Sequence, residues 1–89
     1  MGKDCLLGKV LSNKSINIEA MRNVFIKIWR LKYDVTVHEV GERLFIFHFK
    51  DQTEKDRVFQ KQPWFFNKAL IVLQEVDGHS NINAANMSF

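Results

Sequence analysis

Few side chains in this sequence can make or break bonds, and their spacing assembles none of the usual devices. Cys5 is the single cysteine, so no internal disulfide forms, and one thiol does not make a cysteine-rich zinc site. His38, His48 and His79 lack the spacing of metal ligands. There is no glycine-rich phosphate loop and no nucleophile motif. Ser12-Asn13-Lys14-Ser15 follows the first apolar run, but it contains no arginine to hold a phosphate. The expectation is a protein that is not an enzyme and takes no metal or cofactor.

Binding is the remaining chemistry. Leu6, Leu44 and Ile46 read as an apolar floor, with Lys9, Arg43 and Lys50 at its margins and His48 available to stack or hydrogen-bond. An apolar floor ringed by cations suits single-stranded nucleic acid, RNA or DNA, because bases lie on the floor and phosphates meet the rim. Arg30, Lys32 and Lys68 extend the track. The net charge of +3, from 13 basic and 10 acidic residues, permits such a partner without requiring it. The same floor of leucine and isoleucine suits a second reading, a protein-interaction or homo-oligomerisation face. No run approaches the length of a membrane span, and the start has no signal-peptide pattern. The expected setting is intracellular, in nucleus or cytoplasm, with no membrane partner.

These residues must be positioned by a small domain. The stretch Arg43–Lys50, R-L-F-I-F-H-F-K, alternates strictly, with Phe45, Phe47 and Phe49 on one side and Leu44, Ile46 and His48 on the other. Period-two alternation predicts a strand, and apolar residues on both sides predict a central one. Cys5–Leu11 predicts a first strand, with Gly8 marking a close approach. Asn17 caps a helix whose stripe is Met21, Val24, Phe25, Ile28 and Trp29. Val35–Val40 predicts a second strand. A bulged connection to the next strand would group Val35 and Val37 with the phenylalanines, and an unbulged one would group them with Leu44 and Ile46. The bulged version is favoured, because it gives the phenylalanines apolar company.

Asp51-Gln52-Thr53-Glu54 has capping-box form and opens a second helix, which Pro63 ends. Trp64-Phe65-Phe66 reads as a short strand or a loop, Asn67-Lys68 as a turn, and Leu70–Val76 as the last strand. Residues 77–89 have no periodicity and read as a disordered tail or linker; as an alternative, Ile82, Met87 and Phe89 fold back on the sheet. The order β-α-β-β-α-β over residues 5–76 predicts an α+β, ferredoxin-like sandwich. It has a four-stranded antiparallel sheet and two helices on one face. The last strand would lie beside the first, then the third, then the second.

With that order, the chain resembles the RNA-recognition motif. The match lies over Cys5–Val10, where Gly8 coincides, and over Glu42–Phe49. This resemblance puts Leu6, Leu44 and Ile46 at the positions where that family stacks bases, without its aromatic side chains. The chain also resembles the domain of unknown function found near the start of plant LINE-type retrotransposon proteins, usually upstream of a CCHC zinc knuckle. That likeness covers Cys5 to Val76. It rests on L-L-G-K-V-L, on Trp29 ending the first helix, on L-F-I-F-H-F followed by D-R-V-F, and on P-W-F-F-N-K-A-L-I-V-L. Gln62 stands where that family has a glycine before the proline. The resemblance implies a nucleic-acid-handling module of a retroelement or of a host protein derived from one. It supplies no catalytic residues.

Overall fold

The structure, a computed structural model, describes residues 4–76. The tail expected over residues 77–89 lies outside them. Seven elements follow in order: β1 (Cys5–Leu11), α1 (Ile18–Ile28), β2 (Thr36–Gly41), β3 (Leu44–His48), α2 (Gln52–Gln60), β4 (Trp64–Phe66) and β5 (Ala69–Glu75). The fold is α+β, with one antiparallel sheet of five strands in the order β2-β3-β1-β5-β4. Among the described residues no helix is long and apolar enough to cross a membrane.

The fifth strand corrects the expected count of four. Trp64-Phe65-Phe66 is a strand, paired outside β5 through the two-residue turn Asn67-Lys68. Both turn residues have positive φ, 50° and 68°, as a type I′ hairpin requires. The Gln62–Pro63 bond before this strand is cis. Gln62 has a clear task. The Leu73 amide lies beyond the end of β4, and Gln62 Oε1 accepts its hydrogen at 2.9 Å, while Nε2 donates to the Phe59 carbonyl. A side chain thus replaces the missing strand partner. Gln62→Gly is expected to lower stability by about 1–2 kcal/mol, because a part-buried amide loses its acceptor. Urea unfolding of the two proteins checks this.

The helix boundaries follow from their caps. Asn17 Oδ1 accepts the Ala20 amide at 2.9 Å at the start of α1. At its other end, Leu31 N–H donates to the Ile26 carbonyl and Arg30 N–H to that of Lys27, with Arg30 at φ 55°. This is a Schellman ending with arginine where glycine is usual. Helix α2 departs from its expected capping box. Asp51 occupies the cap but makes no side-chain bond. Glu54, buried, accepts the Lys32 amide at 2.6 Å instead, so its carboxylate secures the loop after α1 rather than its own helix.

One core lies under both helices. Met21, Phe25 and Trp29 from α1 and Val58 from α2 pack with Leu6, Val10, Phe45, Phe47, Phe49, Ile71 and Leu73. Phe25 stacks on Trp29 with ring centroids 4.3 Å apart, and Phe47 meets both rings edge-on. Ile28, expected in the buried stripe, is 47% exposed. The helix turns inward through Trp29, and Ile28 is left at the rim of a hollow toward α2. The β2–β3 hairpin carries its bulge between Glu39 and Gly41, so Val37 faces Phe47 and Val35 is buried in the core.

Candidate nucleic-acid interface

Residues opposed across antiparallel strands project from the same side of the sheet. The register therefore assigns every predicted site residue to a face. Leu6 opposes Phe47 and Gly8 opposes Phe45. Both lie under the helices, and Leu6 is completely buried in the main core. The expected role of Leu6 in an open floor is thus corrected. Gly8 explains the parity. A Cβ on Gly8 would stand 2.6 Å from Phe47 Cε2, so only a glycine lets that ring lie across β1. Gly8 must face the phenylalanines, and Leu6 and Val10 turn inward with it.

The helix-free face is built instead from Cys5, Leu7, Lys9 and Leu11 of β1, Leu44, Ile46 and His48 of β3, Thr36 and His38 of β2, and Leu70, Val72 and Gln74 of β5. Its centre is not open. Cys5, Leu7 and Ile46 form a second buried cluster, with Val76 packed against it, and Leu44 is 7% exposed. Leu44 and Ile46 are on the expected face, yet they present almost no surface to a base. This corrects the expectation of a central apolar platform.

The polar candidates separate. Lys9 opposes Leu44 on this face and is half-buried. His48 is exposed, between Cys5 and Thr36 in neighbouring strands. Arg43 sits in the β2–β3 turn with φ 58°, and its guanidinium lies 3.1 Å from Glu42. Lys50 is exposed, but it borders a hollow shared with Glu19, Arg22 and Asp34 at the β2 edge. The structure therefore places Lys9, Leu44, Ile46 and His48 on one face and leaves Lys50 and Leu6 out of it.

An exposed apolar row lies elsewhere on the same face. Phe65 opposes Leu70, and Leu70 opposes Leu11, so the three cross β4, β5 and β1 in line. Phe65 is 52% exposed and Leu11 49%. Val72 flanks the row, followed by Lys9. Lys68 stands in the adjoining hairpin turn and Lys14 in the loop after β1, both exposed. None of Phe65, Leu11, Leu70 or Lys14 was among the residues expected from sequence. The signal was present, since a two-residue turn at Asn67-Lys68 pairs Phe65 with Leu70 and turns Trp64 and Phe66 inward.

What these elements define is a small α+β domain whose helix-free sheet face has a closed centre and an apolar, lysine-flanked end. The chain belongs to the family described as Domain of unknown function (DUF4283), whose model matches residues 2–83. No curated protein matches the chain.

Proposed function

We propose that this domain is a non-enzymatic module that binds single-stranded nucleic acid, RNA in preference to DNA. Its setting is a plant retroelement protein, or a host protein derived from one, acting in the nucleus or cytoplasm. The order of elements supports a ferredoxin-like, RRM-like sandwich extended by one edge strand. The observation that carries the binding reading is the Phe65–Leu70–Leu11 row with lysines beside it. An exposed phenylalanine on a sheet offers a π-face to any base, and stacking of this kind contributes roughly 1–3 kcal/mol per base. Lys9 lies one register step from the row beside Val72, and Lys14 and Lys68 are exposed in the loop and turn next to it, where they support contacts to phosphates. The platform thus sits at the β4 end of the sheet rather than at its centre.

Fluorescence anisotropy with a single-stranded RNA at two salt concentrations tests the reading. Binding is expected to be submillimolar and to weaken with salt, since each phosphate contact releases counterions. Phe65→Ala is expected to weaken it about tenfold at both salt concentrations. Lys68→Asn keeps a residue suited to positive φ and is expected to lower the slope of log affinity against log salt by about one. Absence of binding at low salt, or full binding by Phe65→Ala, rejects the proposal.

The same exposed row favours a second reading, a homo-oligomer or protein partner seated on Phe65 and Leu11. Light scattering over a concentration series, with Leu11→Glu as the disrupting variant, separates it. Leu11 is the better probe than Leu44, because Leu44 is buried and its replacement by glutamate would disturb folding.

A further inference from the structure

We propose that the hollow between the C-terminal ends of α1 and α2 is a second binding site, for a phosphate-bearing ligand with a planar ring, of the nucleoside monophosphate class. It is on the helix side of the domain and shares no residue with the Phe65 row. Its volume is about 230 Å³, and Arg30, Arg57 and Lys61 line it together with Trp29 and Trp64. Among the described residues, no acidic side chain contributes to the lining. Among the described residues, no carboxylate lies within salt-bridge distance of Arg30 or Lys61.

Two helix C-termini meeting at one hollow would ordinarily repel an anion, because their free carbonyls carry partial negative charge. Here most of those carbonyls have donors. Arg57 donates to the Trp29 carbonyl at 2.6 Å and to that of Arg30 at 3.4 Å. The carbonyls of Arg57, Val58 and Phe59 accept from Lys61 N–H, Trp64 Nε1 and Gln62 Nε2. What faces the hollow is therefore the uncompensated positive charge of Arg30 and Lys61, beside a guanidinium already held in place. Trp64, half-buried and fixed by its bond to Val58, supplies an aromatic wall. Trp29 lies behind it as the buried floor, and its Nε1 has no hydrogen-bond partner among the described residues. Cations beside indole surface suit a phosphate joined to a base. The volume falls just below the ~300–1,000 Å³ of drug-sized ligand sites, which fits one nucleotide and not a strand segment.

The ligand is either a free nucleotide or the phosphorylated end of a strand, and both present the same chemistry. The chain has only two tryptophans, Trp29 and Trp64, and both line the hollow, so intrinsic fluorescence reports on this site and on the core around Trp29, with charge variants separating the two. Titration with adenosine monophosphate is expected to shift the emission and saturate at roughly millimolar concentration or below. Adenosine and inorganic phosphate are each expected to bind at least about tenfold more weakly, since each lacks one half of the recognition. Two variants remove charge without touching the core. Lys61→Glu changes an exposed residue at the end of α2, and Arg30→Gly places glycine at a positive φ that suits it. Each is expected to weaken the monophosphate about tenfold while keeping a cooperative unfolding transition, with at most a small fall in midpoint for the glutamate at the end of α2.

A response to a 5′-phosphorylated oligonucleotide but not to its unphosphorylated twin supports the site with a strand end as its source. A response to the free nucleotide alone supports it with the nucleotide as source. No emission change up to about 10 mM, adenosine or phosphate equal to the monophosphate, or undiminished binding by both variants overturns the proposal. Lys61→Glu is expected to leave the anisotropy of unphosphorylated RNA unchanged, and Phe65→Ala the tryptophan titration. Failure of either site is thereby distinguished from failure of the other.

Discussion

Phe47→Ala is expected to lower the stability of the domain by about 3–5 kcal/mol, the usual range for truncating a buried phenylalanine. The residue is completely buried at the centre of the sheet, with Leu6 opposite it in β1 and Val37 in β2. Its ring centroid is 6.1 Å from that of Phe25 and 5.6 Å from that of Trp29, edge-on to both. Loss of the ring removes the transfer free energy of the side chain and those two contacts, and it opens a cavity that the neighbouring strands cannot close. A domain of this size has about 5–15 kcal/mol in total, so a fifth or more of the stability would go. With an m-value of roughly 1 kcal/mol/M, the urea midpoint is expected to fall by about 3 M or more. A fall below about 1 M would show that the Phe47 site is not the packed centre described here.

Gly8→Val is expected to have a comparable effect by the opposite route. A Cβ at position 8 stands 2.6 Å from Phe47 Cε2 and 3.2 Å from Leu73 Cδ2. The Phe47 ring is held by Phe25 and Trp29, so it cannot yield without repacking the core. Overpacking of this kind costs about 1–3 kcal/mol, and valine adds two further methyl groups to the clash, so a cost at or above the upper end is expected. Gly8→Ala should cost less. Its cost should shrink in a Phe47→Leu background, because the shorter side chain vacates the contested space. A double-mutant cycle by urea unfolding reads that coupling. Simple additivity of the two substitutions would reject the packing account. Because Lys9 follows Gly8 and projects from the other face, displacement of β1 should also weaken nucleic-acid binding at the β4 end of the sheet.

The two proposed sites differ in how they use the fold. The Phe65 row depends on the strand register at one end of the sheet, where three strands bring one residue each. The hollow between the helices depends on two C-terminal caps most of whose carbonyls are satisfied internally. Neither needs the buried centre of the helix-free face, where Leu7 and Ile46 present almost no surface.

Features that depend on a few neighbouring residues were legible from the chain alone. The alternation from Phe45 to Phe49, the Asn17 cap, the Met21–Phe25–Trp29 stripe and the stop at Pro63 each involve contacts within a turn or a strand. Local sterics and hydrogen bonding decide them. The bulge that groups Val37 with the phenylalanines was favoured on a different ground, the apolar company it gives them across the hairpin, because the turn residues alone left both registers open. Features that depend on which strand lies beside which were not legible. The inward turn of Leu6 follows from the seating of Gly8 against Phe47, a contact between β1 and β3. The task of Glu54 comes from the loop after α1, so its capping-box pattern was misleading. The burial of Ile46 and Leu7 and the alignment of Phe65 with Leu11 arise from residues brought together across the sheet. Period-two sequence patterns say that neighbours point to opposite sides. Which side meets the helices is decided only when packing selects between the two registers.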